Sequence, residues 1–159
     1  MTVNSKIFSS LQDINPSAII ELFTLQLSTA LHGANTIYRF HAGSNLNANG
    51  EIVWAGNSYL RFPIQATGFA FQKGQLPRPR IIISNATGLI SSILLDVNQT
   101  TTGNDLTGAT VTRIRTLAKF IDAVNFADGI NATADPTAEF PQEVYVIDRK
   151  ATETRELIE

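Results

Sequence analysis

Apolar residues in this chain alternate with polar ones more often than they recur at helical spacing, so the sequence predicts mostly strands. In SAIIELFTLQLS, residues 17–28, Ile20 and Leu22 share one parity, while Ile19, Phe23, Leu25 and Leu27 share the other. That is a strand pattern, although Ile-Ile-Glu-Leu-Phe also suits one turn of helix. Thr36 to Phe40 is a short β-branched and aromatic run, and residues 30–35 before it read as a turn. Asn49-Gly50 ahead of Ile52 is a hairpin signal, because both residues tolerate positive φ. Ile52 to Trp54, then Ala-Gly-Asn57, then Tyr59 to Pro63 predict a second hairpin, and Gln65 to Phe71 places Phe69 and Phe71 on one side of a further strand.

Prolines and two helical stretches punctuate this pattern. Pro77 and Pro79 remove backbone donors from Leu76 to Arg80, which predicts an extended strip outside any sheet interior. Ile81 to Ile83 is too uniformly apolar for a half-exposed strand and is expected at a sheet centre. Asn4 to Leu11 carries Ile7, Phe8 and Leu11 at helical spacing, with Asn4 or Ser5 as N-cap. Leu89, Ile90, Ile93, Leu94 and Val97 define a clearer amphipathic helix, capped by Asn85 or Thr87.

Residues 99–108 predict an exposed polar loop in which Leu106 is the one large side chain. Ala109 to Phe126 reads as one long strand with a parity slip that suggests a bulge. Glu143 to Asp148 is another strand, and the charged end, residues 149–159, resembles a strand cut short. The expected fold is α+β and β-dominated: antiparallel sheets forming a barrel or sandwich, with one or two short helices, as a single domain over residues 1–159.

Composition narrows the function classes. The chain has 159 residues, no cysteine and a net charge of -2. Disulfide, thiolate and thiolate-ligated cluster chemistry are excluded, and no net field draws polyanions. No apolar run reaches membrane-spanning length and the start lacks a secretory pattern, so a cytoplasmic product is expected. Charged residues are only 16%. A surface of small polar side chains suits a subunit wedged among others, though ordinary monomers share it.

Candidate chemistry is sparse. His32 and His41 are nine apart without a metal-binding spacing, and solvated or capping roles fit them better than a metal site. Asp122, Asp128, Asp135 and Asp148 lack calcium-loop spacing, and Asp128-Gly129 and Asp135-Pro136 are turn pairs. No phosphate-binding or nucleophile-elbow motif is present, and no cofactor is expected. Arg78, Arg80, Arg113, Arg115 and Lys119 form the basic concentration, readable as a patch for passing DNA or as polar strand faces. Trp54, Tyr59 and Phe62 are either core aromatics or a sugar-binding platform, which makes a carbohydrate- or receptor-binding module the alternative reading.

Several short motifs in one order carry a resemblance. These are W-x-G-x-x-Y at Trp54, Gly56 and Tyr59, P-I-x-x-x-G-F at Pro63, Ile64, Gly68 and Phe69, Arg78-Pro79, and I-S-N at Ile83 to Asn85. Then come Gly108-Ala-x-Val111 with Arg113 and Arg115, Lys119 to Phe126, Ala134 to Pro136, and Glu143 to Lys150. Together they resemble the minor tail protein L family of long-tailed, lambda-like bacteriophages, over roughly residues 50–155.

The resemblance implies a structural tail-tip subunit between the end of the tail tube and the central host-recognition protein. It also implies a place in a ring, as part of a threefold hub around the channel that DNA passes. Arg113, Arg115, Lys119, Arg78 and Arg80 would then face neighbours or the channel. Location in the virion tail, after assembly in the host cytoplasm, follows from the same resemblance. Members of that family continue into a cysteine-containing region proposed to hold an iron–sulfur cluster. This chain has no cysteine, so it resembles the N-terminal domain alone and the cluster is not carried over.

Overall fold

The computed structural model describes residues 4–43, 47–48, 50–70 and 74–159. In chain order the elements are α1 (Ser5–Leu11), β1 (Ile19–Gln26), α2 (Thr29–His32), β2 (Ile37–His41), β3 (Glu51–Trp54), β4 (Asn57–Arg61), β5 (Ile64–Thr67), β6 (Arg80–Ser84), α3 (Leu89–Thr100), β7 (Thr110–Leu117), β8 (Glu143–Val146) and β9 (Leu157–Ile158). Two 3-10 turns, Ala118–Phe120 and Ala123–Asn125, follow β7. The expected β-dominated α+β fold with few short helices is what forms. The chain divides into two compact units.

The first unit comprises residues 1–26, 37–61 and 110–145 and is built on a curled, half-barrel sheet in the order β3-β4-β2-β1-β7-β8. β1 lies at its centre and pairs antiparallel along its whole length with β7, from Ile19 opposite Leu117 to Gln26 opposite Thr110. Its other edge pairs with β2, from Leu22 opposite His41 to Gln26 opposite Ile37. Both faces of β1 are covered, with Leu22 at 0% exposure on one and Phe23 at 3% on the other, which is why its apolar residues occupy both parities. Ile7, Leu22, Ile52, Trp54, Tyr59, Ile114, Leu117, Phe120, Ile121 and Ala138 form the core. Removing each large side chain from water contributes roughly 1.5–3 kcal/mol. α1 reaches this core through Ile7, and its N-terminus is closed by Asn4, whose Oδ1 accepts from Lys6 N at 2.9 Å.

The β3–β4 hairpin forms as its sequence predicts. Ala55 and Gly56 have φ of 50° and 74°, the two positive values that a right-twisted two-residue turn requires. The Asn49-Gly50 hairpin does not form as expected. β4 lies between β2 and β3 and pairs parallel with β2, so the polar loop after β2 is a crossover. Asn49 itself lies outside the described residues.

Strand β7 ends at Leu117 instead of running to Phe126. The parity slip marks the point where the chain leaves the sheet for two 3-10 turns, and these turns serve the hairpin. The Asn125 side chain accepts from Val53 N at 2.7 Å and donates to Val53 O at 2.7 Å, as a neighbouring strand would. The Asp122 carboxylate accepts from Ala55 N at 3.0 Å and Gly56 N at 2.8 Å. The outer edge of β3 is thereby closed by side chains.

The second unit comprises residues 27–36, 62–109 and 146–159. Its sheet has the order β5-β6-β9, so Ile81 to Ile83 is central as expected, though only half-buried. The strand expected over Gln65 to Phe71 stops at Thr67, and Phe71 lies outside the described residues. Residues 30–35 contain a helical turn, α2, closed by Gly33 in the left-handed region. The charged C-terminal segment turns at residues 154–157 and returns as β9, with Ile158 opposite Ile83. α3 starts after Gly88, yet Asn85 caps it from outside: Oδ1 accepts from Ser91 N at 3.2 Å, while Nδ2 donates to Thr154 O at 3.2 Å. Leu106, expected in an exposed loop, is 6% exposed.

Two predictions follow from these contacts. Asn125→Ala strands the Val53 N–H and C=O at a closed edge and should lower stability by about 1–3 kcal/mol, read from the urea midpoint. Asp135 is held at a pKa of about 2 by hydrogen bonds from Lys6 and Thr137, against about 3.9 for a free aspartate. Its stabilisation is complete above pH 4 and is lost as pH falls through about 2. Asp135→Asn should therefore flatten that part of the acid-unfolding curve.

Candidate functional site

Alternation along β7 puts Arg113 and Arg115 on one face, and β8 brings Glu143 beside both. Arg113 Nη1 donates to Glu143 Oε2 at 2.9 Å, and its Nη2 donates to Glu21 of β1. Arg115 Nη2 lies 3.6 Å from the other Glu143 oxygen, and its guanidinium sits 5.1 Å from the Phe140 ring centroid. Two cations thus share two carboxylates, and the Arg113 side chain keeps only 14% exposure. Such a network fixes β1, β7 and β8 in register, because each guanidinium fork accepts only one arrangement of carboxylates.

Lys119 is the third of the basic residues expected on this face. It lies beyond the end of β7, pairs with Asp13 at 3.3 Å and sits 5.3 Å from the Phe120 ring centroid. Arg78 and Arg80 belong to the other unit. Arg78 is exposed on the proline strip, where a side chain at Gly68 would meet Arg78 O at 3.2 Å. Arg80 keeps 69% side-chain exposure and lies 3.3 Å from Glu159. The five residues therefore do not share one partner set. Three have their charge matched inside the first unit, and two lie along a strip of the second.

The aromatic candidates are interior. Trp54 is 2% exposed, Tyr59 3% and Phe62 8%, so none presents a ring face to solvent. Burial raises the Tyr59 pKa above its usual value, with Arg39 opposing. Both histidines are also buried, against the solvated reading. His32 Nδ1 accepts from Ser28 N at 2.8 Å, which leaves Nε2–H to donate to Thr107 O at 3.1 Å. His41 is fully enclosed, with Nε2 3.3 Å from Gly50 O.

Among the described residues no group of three His, Asp or Glu side chains could hold a metal ion, and no helix is long and apolar enough to cross a membrane. A hollow of roughly 550 Å³ in the second unit is lined by Asn85, Gly88, Ser91, Glu153, Thr154 and Arg155. It is wide open, and Glu153 is already engaged by Lys150 at 2.6 Å and Ser91 at 3.2 Å. Such a surface positions nothing for proton transfer.

Sequence reading named Asn85 as a cap for α3 and missed the other connectors: Asp122 and Asn125 on the hairpin edge, and Asp135. Asp135 accepts from Thr137 N at 2.9 Å and Oγ1 at 2.7 Å, and from Lys6 of α1. Only the turn pair Asp135-Pro136 hinted at any of them.

Residues 29–159 match the family model described as phage minor tail protein L. A segment of 103 residues, 64% of the chain, is 37% identical to the tail tip protein L of Escherichia phage lambda. That alignment spans 41% of the lambda protein, so less than half of the relative's length has a counterpart here.

The arginine network separates structural from surface charge. Arg113→Met strands Glu21, leaves Glu143 with Arg115 alone and should cost about 1–3 kcal/mol, below the figure for a fully buried pair because Glu21 is partly solvated. Arg78→Ala should change stability by no more than about 0.5 kcal/mol in the same urea titration.

Proposed function

The chain belongs to the phage minor tail protein L family, and from that membership we propose that it is a structural subunit of the tail tip, joining the end of the tail tube to the central host-recognition protein. The match over residues 29–159 is the observation that carries this reading. The geometry is of a kind with it. The charges of Arg113, Arg115 and Lys119 are matched inside the first unit, the β3 edge is closed, and the interior is a plain apolar core.

The apolar residues left on the first unit's surface give such a subunit something to bind with. Phe8 is 58% exposed, Ile14 fully exposed, Val124 58% and Ile130 70%. Where exposed apolar side chains join into one patch of a few hundred Å², a neighbour typically covers it, whereas scattered singly they are ordinary. A stable contact buries about 800 Å² per partner, and cyclic symmetry lets one subunit type close a ring, here a threefold hub. In this reading the subunit works by holding neighbours in register, phage DNA passes as cargo, and the protein moves from the host cytoplasm into the virion tail.

A carbohydrate-binding module is the competing class. It gains nothing from Trp54, Tyr59 and Phe62, whose rings are enclosed.

Immunogold labelling of purified virions carrying an epitope-tagged copy tests the proposal. Gold is expected at the distal end of the tail. Label on the head, along the tube, or absent from intact particles that contain every other tail protein would rule it out.

A further inference from the structure

The β3–β4 hairpin joins the rest of the sheet through one short seam. β4 pairs with β2 in parallel over two rungs, Phe40 opposite Leu60 and His41 opposite Arg61. His41 is 0% exposed. Its Nε2 lies 3.3 Å from the Gly50 carbonyl and so carries the proton it donates there. Its Nδ1 is buried with no hydrogen-bond partner among the described residues. A buried polar atom without a partner calls for a physical reason.

The surroundings supply one. From β1, His41 faces Leu22, and from the loop it faces the Gly50 carbonyl, with a Cβ at Gly43 falling 3.8 Å from Nδ1. None of these is charged. From β4 comes Arg61, a cation. Among the described residues no carboxylate acts on the ring. We propose that His41 is a proton-sensitive latch, which closes the β2–β4 seam while neutral and loosens it on taking up a proton.

The neutral ring fits because Nδ1 then presents only a lone pair, which needs no acceptor, at a position closed to water. A proton there adds a donor without an acceptor and a charge in a site closed to water, and both are costly; Arg61, exposed on β4, adds a smaller repulsion. The relief of lowest cost is to open two rungs and hydrate the ring, a local opening that leaves the eight-rung β1–β7 pairing intact. Burial first, and then Arg61, hold the ring's pKa below 6.5, with the Gly50 bond opposing. The opened form titrates near 6.5 and binds protons that the closed form refuses, so opening grows as pH falls. Between pH 7 and pH 5 the increase has a ceiling of about 25-fold.

Amide hydrogen exchange on the full chain at pH 7, 6 and 5, corrected for intrinsic rate, reads this directly. Exchange at residues 40–41 and 60–61 should rise severalfold, up to about 25-fold, while amides of the β1–β7 pairing stay level. The His41 imidazole signal should titrate below 6.5 in the same range. His41→Gln keeps a donor for Gly50 O and should abolish the rise. If that variant does not fold, His41→Asn provides the control, since it too lacks a titrating ring and should abolish the rise. A His41 midpoint at or above 6.5, a rise equal to that of β1–β7, or an unchanged rise in either variant overturns the latch.

Discussion

A strand buried on both faces has no water to satisfy its backbone, so each of its edges must find another strand. β1 imposes that constraint here. With Leu22 enclosed on one side and Phe23 on the other, it takes β7 along one edge and β2 along the other. Everything else in the first unit follows from the two neighbours. β7 carries the arginines to Glu21 and Glu143, and β2 delivers His41 to the seam with the hairpin.

The same accounting explains why irregular segments matter. A sheet must end somewhere, and an unpaired strand edge invites uncontrolled pairing. At β3 the chain meets that problem with side chains: Asn125 reproduces the hydrogen bonds of a missing strand and Asp122 closes the turn. Residues that look like loop filler thus decide which edge stays closed. In the second unit Asn85 has a comparable part, since one amide caps α3 and ties down the C-terminal turn.

Electrostatics in this protein organise the fold more than they attract ligands. Arg113 and Arg115 are balanced by Glu21 and Glu143, and Lys119 by Asp13. Few long-range field lines escape such pairs. Arg78 and Arg80 on the proline strip keep more of theirs, being more exposed. For a family whose name denotes a tail component, a surface with muted charge and scattered apolar side chains is compatible with packing among neighbours.

Local chemistry was legible wherever neighbours in sequence are also neighbours in space. Asn4 capping α1, the positive-φ pair Ala55-Gly56, the apolar face of α3 and the period-two run of β1 all follow from a few adjacent residues. Pairing at a distance was not legible. The period-two pattern of β2 and β3 says nothing about β4 lying between them in parallel, and Leu106 carries no mark that its loop folds inward. Asn125 and Asp135 took their roles from partners 72 and 129 residues away. By itself, then, the sequence determined most of the strands, α1, α3 and the family. Tertiary structure alone decided strand order, edge closure and the partner of each buried charge, because those depend on which distant groups compete for the same few hydrogen bonds away from water.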